Sequence, residues 1–362
     1  SYEELTPFIN KINAQNRRID RQIAKLTRSR REFEIIAENM SEGLLLTDID
    51  GNIITHNKGT EKFFDVTDSI DGSNILTVNR SEIFRKIFND ITEKKHGEEV
   101  LSLGGRFYDI TAKPVYDENK AVCGAVVLIV DITEQESREK LRREFTANVS
   151  HELKTPLTSI SGISDMLMNG IVEPDDIKGF AKDINKESAR LISLVNDIIK
   201  LSELDEGGAK SDEIKSVDLA EISSEVAKRL TPVAAEKGVV INTVGEKAEI
   251  TAGESLVFEM IYNLCDNAVK YNKENGTVTV TTGISDGAPF VSVKDTGIGI
   301  PSECTDRIFE RFYRVDKSRS KESGGTGLGL SIVKHIAMSL GGEITVDSTP
   351  GVGTNITVVF KN

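Results

Sequence analysis

The sequence predicts a multidomain α+β protein, in which long helical stretches alternate with groups of short β-type runs along 362 residues. At roughly 150 residues per domain, a chain of this length holds two or three domains. Apolar residues make up 38% and charged residues 28%, which is typical of a globular protein that is neither disordered nor membrane-spanning. Hydrophobic periodicity then orders the chain as a helix, a mixed region, a helical region and a second mixed region.

The first segment, residues 1–33, is predicted to be a coiled-coil helix. A repeat with alternating spacings of 3 and 4 residues begins there and continues to residue 40. Asn16 falls at an a position, where one polar residue fixes the register and favours a parallel pair. The alternative is a single amphipathic helix packed on its own domain. The positions of the repeat are Ile9, Ile12, Asn16, Ile19, Ile23, Leu26, Arg30, Phe33, Ala37 and Met40.

Residues 34–134 are predicted to form a small mixed α/β domain. Short β-type runs cover Gly43 to Thr47 and Asn52 to Thr55, and Asp50-Gly51 between them is a turn signal. His56 and His96 are possible ligands of a bound group, although surface or structural histidines are the better interpretation.

Three short motifs of this region carry a resemblance to a known family. They are Asn39-Met-Ser-Glu-Gly43, the turn Asp48-Ile-Asp-Gly51 and the closing Val130-Asp-Ile-Thr133. Together they resemble a PAS sensory domain over about 100 residues. The resemblance implies that a small ligand can bind there, and no residue pattern identifies that ligand.

Residues 135–206 are predicted to form a helical hairpin. Helical periodicity runs from about Glu134 to Leu204, with a break near Gly170 and a restart after Pro174. Two helices with one apolar stripe each do not close a core, so we expect a homodimer that completes a four-helix bundle. The stripes are Leu141, Phe145, Val149, Leu153, Leu157 and Ile160, then Ile177, Phe180, Ile184, Leu191, Leu194, Ile198 and Leu201.

The last region, residues 207–362, is predicted to be an α/β sandwich. A polar, glycine-containing stretch over residues 205–212 precedes it and is interpreted as a hinge. Helices and strands alternate after it. We expect helices near Leu219 to Lys237, Glu254 to Tyr271 and Gly327 to Leu340, and strands at Val239 to Thr243, Thr277 to Thr281, Phe290 to Val293, Glu343 to Asp347 and Thr354 to Phe360.

Charge, cysteine content and hydropathy exclude several classes of protein. The net charge of −13 argues against nucleic-acid binding, which needs a basic face. Cys123, Cys265 and Cys304 lack disulfide or metal-ligand spacing, so we expect reduced thiols in a reducing cytosol. The longest apolar run, Ala125 to Val130, is far shorter than the roughly 20 residues of a membrane span. We therefore expect a cytoplasmic portion, with an upstream membrane anchor as a hypothesis.

The first chemical motif lies in the first helix of the hairpin. In Ser150-His-Glu-Leu-Lys-Thr-Pro156, an imidazole nucleophile stands next to a carboxylate. Neighbouring residues on a helix point about 100° apart, so Glu152 needs a particular rotamer or a helix bend to serve His151. Thr155 lies on the face of His151, and Pro156 weakens the helix there. The alternative is a solvent-facing histidine in a helix that happens to contain proline. A zinc-protease HExxH motif is disfavoured because position 155 is Thr.

The second motif is a polar cluster on one predicted helix. Asn263, Asn267, Lys270 and Tyr271 lie near one face of it. Asn267 can offer an oxygen to Mg²⁺, Lys270 can meet phosphate, and the Tyr271 ring can pack on a base or a sugar. The alternative is the polar outer face of an amphipathic helix.

The third motif consists of two glycine-rich runs, Asp295-Thr-Gly-Ile-Gly-Ile-Pro301 and Gly324-Gly-Thr-Gly-Leu-Gly-Leu330. Glycines let backbone N–H groups approach phosphates closely, and a helix that begins at Gly327 would add its positive end. The charged stretch before the second run argues against a Rossmann loop, which follows a strand. A P-loop is excluded because the chain contains no Gly-Lys dipeptide.

In this order, the motifs closely resemble the sensor histidine kinase family from about residue 135 to the end. Ser150 to Pro156 resembles the H box, Asn263 to Tyr271 the N box, Asp295 to Ile300 the first glycine box and Gly325 to Leu330 the second. Arg307 to Asp316 resembles the F box and Gly351 to Thr354 the last box. The full layout is similar to phosphate- or cell-wall-responsive sensor kinases of Gram-positive bacteria.

The resemblance implies a Bergerat-type ATP-binding domain, with ATP and Mg²⁺ as cofactors. Asp295 would accept the adenine amino group, Asn267 would hold Mg²⁺, and Lys270 and Arg314 would face the phosphates. Residues 316–325 would form a mobile lid. Relatives that hydrolyse ATP carry Glu at the place of Asn263, so water activation is disfavoured. The other implied nucleotide-binding residues are Tyr271, Gly297, Gly299, Gly325, Thr326, Gly327, Leu328, Gly329 and Leu330.

The activity that follows is autophosphorylation of His151 and transfer of the phosphoryl group to an aspartate of a cognate response regulator. In the family pattern Glu152 is the base and Thr155 assists dephosphorylation of the regulator. Two alternatives belong to other classes. One is a related ATP hydrolase or serine kinase, which needs no reactive His151. The other is a ligand-binding or dimerisation scaffold with an inactive nucleotide domain.

Overall fold

The protein is described from a computed structural model. The structure describes residues 2–66, 69–93, 95–205, 213–315 and 325–361, without the side chains of residues 2–14 and 92. Most of the predicted hinge, residues 206–212, and most of the predicted lid, residues 316–324, lie outside this part, as do the side chains of Ile9 and Ile12. The chain divides into two compact units, Ser1–Arg143 and Glu144–Asn362, and each is described by itself.

The first unit begins with helix α1, Tyr2–Asn39, which is the predicted N-terminal helix and continues six residues beyond residue 33. Its described heptad side chains are exposed: Ile23 keeps 56% and Leu26 71% of their accessible surface. Ion pairs from Arg28 to Glu32 at 2.9 Å and from Arg30 to Glu34 at 2.8 Å support the helix one turn apart. The exposed stripe favours a coiled coil over a helix packed on its own domain.

The rest of the first unit is one antiparallel sheet with three helices. The sheet has the strand order β2-β1-β5-β4-β3. One face of it is buried under α2 and α4, where Ile110, Ala112 and Val127 pack with Phe84 and Ile87. The elements are β1 Gly43–Asp48, β2 Ile53–His56, α2 Lys58–Phe64, α3 Ile75–Val78, α4 Glu82–Thr92, β3 Gly97–Leu103, β4 Arg106–Tyr116 and β5 Val122–Asp131.

Two features that the sequence singled out in this unit are the Asp50-Gly51 turn and His56. The Asp50-Gly51 turn between β1 and β2 is present, and Gly51 has the positive φ of 81° that glycine permits there. The His56 side chain is only 5% exposed, with Nδ1 2.6 Å from Asp71 and Nε2 3.4 Å from Glu61. His56 therefore ties β2 to α2 and to the following loop.

The second unit contains the hairpin predicted from periodicity. Helix α5 runs over Thr133–Met168, crossing the division between the units, and α6 runs over Ile177–Asp205. The break near Gly170 is confirmed, and Gly170 has a φ of +64°. Helix α5 is continuous through Pro156, which is buried. The missing N–H of Pro156 leaves the Glu152 carbonyl without its helical donor.

The predicted α/β sandwich follows the hairpin. Its main sheet has the order β11-β12-β10-β9-β7, with β7 parallel to β9 and the other pairs antiparallel. A second sheet pairs β6 with β8. The elements are β6 Ile214–Asp218, α7 Leu219–Glu236, β7 Val240–Gly245, β8 Glu249–Gly253, α8 Glu254–Lys270, β9 Thr277–Ser285, β10 Ala288–Asp295, a 3₁₀ turn Ser302–Cys304, α9 Gly329–Ser339, β11 Gly342–Thr349 and β12 Gly353–Phe360.

Helix α8 lies at the centre of this sandwich. Its buried face, including Met260, Ile261 and Leu264, packs in one core with Val280 and Val293 of the main sheet. This packing leaves the opposite, polar face of α8 available to the site.

The structure corrects the predicted start of α9. The helix begins at Gly329 and not at Gly327. Gly327 has a φ of +74°, which a right-handed helix does not include. None of the described helices combines the length and apolar composition needed to cross a bilayer.

Candidate functional site

The predicted nucleophile is accessible on the hairpin. His151 is exposed on α5. The Thr155 hydroxyl, also exposed, donates to the backbone carbonyl of His151 at 3.2 Å. His151 and Thr155 are therefore one turn apart on the same helix face, as their spacing predicts.

Glu152 faces a different set of partners from the one the sequence suggests. Its Oε2 lies 3.4 Å from Nη2 of Arg190 on α6 and 3.5 Å from Nη2 of Arg314. Arg314, whose side chain is only 9% exposed, also donates to the Gly325 carbonyl. Successive helix residues point about 100° apart, which explains why Glu152 faces the two arginines and not the His151 ring. Both residues were predicted to act elsewhere, Glu152 on His151 and Arg314 on phosphate.

The polar face of α8 carries the second predicted cluster. Asn263 Nδ2 donates to the Glu259 backbone carbonyl at 2.9 Å and to its carboxylate at 3.1 Å. Lys270 pairs with Asp266 at 2.6 Å. A Cβ placed on Gly329 would lie 2.8 Å from Asn263 Oδ1 and 3.4 Å from Asn267 Nδ2. The start of α9 therefore packs directly against both asparagines, and a side chain at position 329 would displace the Asn263 amide.

The first glycine-rich run forms a tight loop after β10. A Cβ on Gly297 would lie 2.3 Å from the Tyr271 carbonyl. One on Gly299, whose φ is +69°, would lie 2.2 Å from the carbonyl of Thr349. These positions need glycine because neighbouring backbone occupies the space of a side chain.

Asp295 is held at the start of this loop. Its Oδ1 accepts from the Gly297 N–H at 2.7 Å and from the Thr354 N–H at 3.3 Å. Burial raises the pKa of this carboxyl above its ordinary value, while the two backbone donors act in the opposite direction. Among the described residues, both of these backbone donors bind Oδ1.

The second glycine-rich run lies against Tyr271 and Phe312. Gly325 approaches Tyr271, where a Cβ would lie 3.1 Å from the phenol oxygen, and Gly327 lies against the Phe312 backbone. Leu328 is fully buried and Leu330 packs on the same core, so their side chains serve packing. The backbone of this run is what remains to contact a ligand.

Thr326 connects the second run to the hairpin. Its hydroxyl donates to Asp197 Oδ2 on α6 at 2.7 Å and accepts from the Leu328 N–H at 3.3 Å. Burial, the largest cause, raises the pKa of the Asp197 carboxyl. Spacing gave no signal for Asp197 or Arg190, because they meet these residues only through contacts between distant segments.

These residues fit an adenine nucleotide. Oδ2 of Asp295 can accept from an amino group, and the glycine runs bring backbone N–H groups close to a ligand, as phosphate binding requires. Within the described ranges no cluster of three or more His, Cys, Asp or Glu residues is arranged to hold a metal ion. Asn267 supplies one amide oxygen, which fits Mg²⁺ that takes its remaining ligands from phosphate and water.

Comparison with known families agrees with this division of the chain. Residues 252–362 match the family described as histidine kinase-, DNA gyrase B- and HSP90-like ATPase. Residues 141–207 match the His Kinase A phospho-acceptor domain, and residues 33–133 match a PAS domain.

Curated relatives are similar over most of the chain. The sensor histidine kinase WalK of Bacillus subtilis is 29% identical over 98% of this chain and 59% of its own length. A sensor protein kinase WalK of Staphylococcus aureus is 30% identical over 99% of the chain and 87% of its own length. The sensor-like histidine kinase SenX3 of Mycolicibacterium smegmatis is 38% identical over 65% of the chain and 61% of its own length. The chain spans about three fifths of several such relatives, the share ranging from 59% to 61%.

A solved structure shows the same fold. The histidine kinase ThkA, in a crystal structure with the response regulator protein TrrA, has a TM-score of 0.50 and 23% identity. That match covers 88% of this chain and 95% of ThkA. With its motifs, its three domain matches and a relative 30% identical across 87% of that relative, the chain belongs to the sensor histidine kinase family.

Proposed function

We propose that this chain uses ATP to phosphorylate its own His151 and then passes the phosphoryl group to an aspartate of a response regulator. One observation carries the proposal. The helix of the exposed His151 reaches the nucleotide cleft of the same unit, where Glu152 lies 3.5 Å from Arg314. An acceptor and a nucleotide site this close together suit phosphoryl transfer better than hydrolysis.

The chemistry is an in-line displacement at the γ-phosphorus of ATP. An unprotonated ring nitrogen of His151 attacks, the N–P bond forms and the P–O bond to ADP breaks. The proton on the other ring nitrogen passes to a base, the role we assign to Glu152. The phosphoryl group then moves to the aspartate oxygen of the regulator as the N–P bond breaks, and the ring takes a proton back from the base or from water, which restores neutral His151.

We propose the roles in nucleotide binding that the resemblance to the family implies. Asp295 Oδ2 accepts the adenine amino group, and Tyr271 lines the base or the sugar. Lys270 and Arg314 balance the charge of the phosphates, which requires each to leave its present carboxylate partner. Asn267 holds Mg²⁺, which when bound neutralises phosphate charge. The other nucleotide-binding residues that we propose are Asn263 and, in the two glycine-rich runs, Gly297, Gly299, Gly325, Thr326, Gly327, Leu328, Gly329 and Leu330.

The proposal extends to assembly and location. We infer a homodimer built through a coiled coil over residues 1–33 and a four-helix bundle over residues 135–206. Residues 34–134 would sense a signal and residues 207–362 would bind ATP. We place the chain as the cytoplasmic portion of a sensor anchored upstream in a membrane, and acidic composition argues against a nucleic-acid partner.

The test is incubation of the full chain with γ-labelled ATP and Mg²⁺. We expect acid-labile, base-stable label, which is typical of phosphohistidine, and its loss in His151→Ala. The matched control is His96→Ala, which also changes an exposed histidine. Label that survives in His151→Ala, or no label in any protein, would replace this proposal with a serine kinase, a hydrolase or a scaffold.

Thr155 supports a second, phosphatase step on the regulator. Its hydroxyl lies one turn from His151 on the exposed face and can position a water there. We expect Thr155→Ala to dephosphorylate the regulator more slowly while it still labels His151. Equal rates of dephosphorylation in the variant and the wild type would remove this role.

A further inference from the structure

Three carboxylates of the hairpin contact hydrogen-bond donors of the sandwich domain in the same unit. Glu152 lies on α5, and Asp197 and Asp205 lie on α6. The pairs are Glu152 with Arg314 at 3.5 Å, Asp197 with Thr326 at 2.7 Å, and Asp205 with Arg311 at 2.7 and 2.9 Å.

Two of these donors are groups that we assign to the nucleotide. Arg314 would face the phosphates, and Thr326 lies within the second glycine-rich run. Carboxylate and phosphate oxygens are both anionic acceptors that compete for the same N–H and O–H donors. Glu152 and Asp197 therefore bind the hydrogen-bond donors that the phosphates of ATP would also bind.

The third pair, Arg311 with Asp205, includes no residue that we assign to the nucleotide. We call it the anchor, because it holds the end of α6 to the sandwich domain. Arg311 makes a two-bond contact with Asp205, and its guanidinium lies 5.3 Å from the centre of the Phe145 ring. Phe145 in turn contacts Phe312, with ring centres 5.8 Å apart. His335 Nε2 lies 3.0 Å from the Leu204 carbonyl next to Asp205.

We propose that the hairpin is an intramolecular competitor of the ATP phosphates, with Glu152 and Asp197 as the competing carboxylates and Arg311–Asp205 as the anchor. The proposal rests on the proposed function, because it assumes that the cleft binds ATP. A nucleotide must then displace the docked hairpin, so its apparent dissociation constant equals the intrinsic constant divided by the fraction of undocked protein.

The same displacement has a consequence for the transfer reaction. When phosphate takes Arg314, Glu152 loses one of its two arginine partners and keeps Arg190 at 3.4 Å. Nucleotide binding thus releases the base that His151 needs. Before ATP arrives, the docked hairpin keeps this base occupied.

The competition is tested by reversing the charges of the anchor in the full chain. Arg311→Asp and Asp205→Arg each replace an attraction by a repulsion, and the double variant restores an oppositely charged pair. An exposed pair contributes about 0.2–1 kcal/mol, so loss of this attraction should tighten binding of a non-hydrolysable ATP analogue with Mg²⁺ by about 1.4-fold to 5-fold. The double variant should return towards the wild-type affinity. Glu203→Arg, at an exposed position on the same helix, is the control.

Adenosine distinguishes competition for phosphate from a general change in the cleft. A ligand that binds the docked and undocked forms equally shifts neither population. Adenosine lacks phosphates, so its affinity should be the same for the wild type, Arg311→Asp, Asp205→Arg and the double variant. Asp205→Asn, which only removes the charge, gives a milder version of the same comparison.

Three outcomes would overturn the inference. Unchanged affinity for the ATP analogue in the folded single variants would show that docking does not compete. An equal gain in adenosine affinity would show that the effect is not at the phosphates. Failure of the wild-type chain to bind the analogue would instead remove the proposed function on which the inference depends.

Discussion

The two oxygens of the Asp295 carboxylate have different surroundings. Oδ1 accepts both backbone N–H groups, from Gly297 and Thr354. Burial raises the pKa of this carboxyl, so the ionised form that we assign to adenine recognition costs folding energy. Ligand-binding residues often lower the stability of the folded protein, because the side chain that binds the ligand best is often not the one that stabilises the fold best.

Asp295→Asn should therefore separate stability from binding. The amide oxygen can keep both backbone bonds, while an NH₂ group replaces Oδ2 and faces the adenine amino group donor to donor. Because the folded pKa is raised, the native carboxylate is destabilising above that pKa, and its penalty fades as pH falls towards 3.8. We expect a higher melting temperature at pH 8 and a loss of nucleotide binding, measured by calorimetry.

The matched control for this variant is Asp347→Asn, a carboxylate on β11 of the same sheet. It should leave both the melting temperature and nucleotide affinity near wild type. A lower melting temperature for Asp295→Asn would contradict the burial argument, and retained affinity would contradict the assignment to adenine.

Gly327 offers a second prediction at the residue scale. Gly327 and Gly287 have similar φ angles, +74° and +81°, but only at Gly327 would a Cβ meet backbone, 2.9 Å from the Phe312 Cα. Alanine at either position costs about 1–2 kcal/mol for the left-handed conformation. Gly327→Ala should lose more stability than Gly287→Ala in urea unfolding, and only Gly327→Ala should weaken nucleotide binding. Equal losses would mean that the approach to Phe312 is unimportant.

At the scale of elements, periodicity predicted those helices and strands whose one face is buried. Helix α6 and strands β9, β10 and β12 each bury residues on one face, and these elements were found within a few residues of their predicted bounds. Strands β6 and β8 were missed because they are five residues long and pair only with each other. The start of α9 was placed two residues early, because sequence does not report that Gly327 is left-handed.

The hairpin helices leave an apolar face without cover in the described part of the unit. Ile192, Val195 and Ile199 on α6 are 62%, 39% and 52% exposed, at spacings of three and four residues. An apolar helical stripe of this kind is normally buried against other helices. A second copy of the chain is the partner that we propose.

Ile192→Lys combined with Ile199→Lys should therefore convert the dimer to a monomer. Two charges in a bundle core meet no compensating partner, and each costs several kcal/mol if it stays buried. Light scattering at micromolar concentration measures the mass directly. Ile284→Lys, at a position 63% exposed on β9, is the control and should remain dimeric. A dimer in the double variant would move the interface to another surface.

At the scale of the whole molecule, motif order predicted the parts of the site but not their connections. Gly329 lies against Asn263 and Asn267, and Tyr271 contacts both glycine-rich runs, at Gly297 and at Gly325. The contacts of Glu152 with Arg314 and of Asp197 with Thr326 join residues 162 and 129 positions apart. No local pattern encodes such contacts, because they depend on how the sandwich domain docks on the hairpin.

Docking should also make nucleotide affinity depend on pH through Asp197. In the docked arrangement its carboxylate faces Thr326, Lys270, Asp266 and Glu259, and burial raises its pKa above the ordinary value of 3.8. The docked form therefore binds more protons than the undocked form. Docking is strengthened as pH falls below the raised pKa and is weakened as pH rises through it.

We expect affinity for the ATP analogue to fall as pH is lowered, in part through Asp197 and in part through Asp295. Asp197→Asn keeps an oxygen acceptor for Thr326 but does not titrate. This variant should therefore lose the part of the pH dependence that is due to Asp197 and keep the part that is due to Asp295. Titration of the analogue itself is common to both proteins and cancels in their comparison. Calorimetric titrations at a series of pH values from about 4 to 8 measure the difference between the two proteins. Identical pH dependence in the two proteins would show that Asp197 does not link docking to protonation.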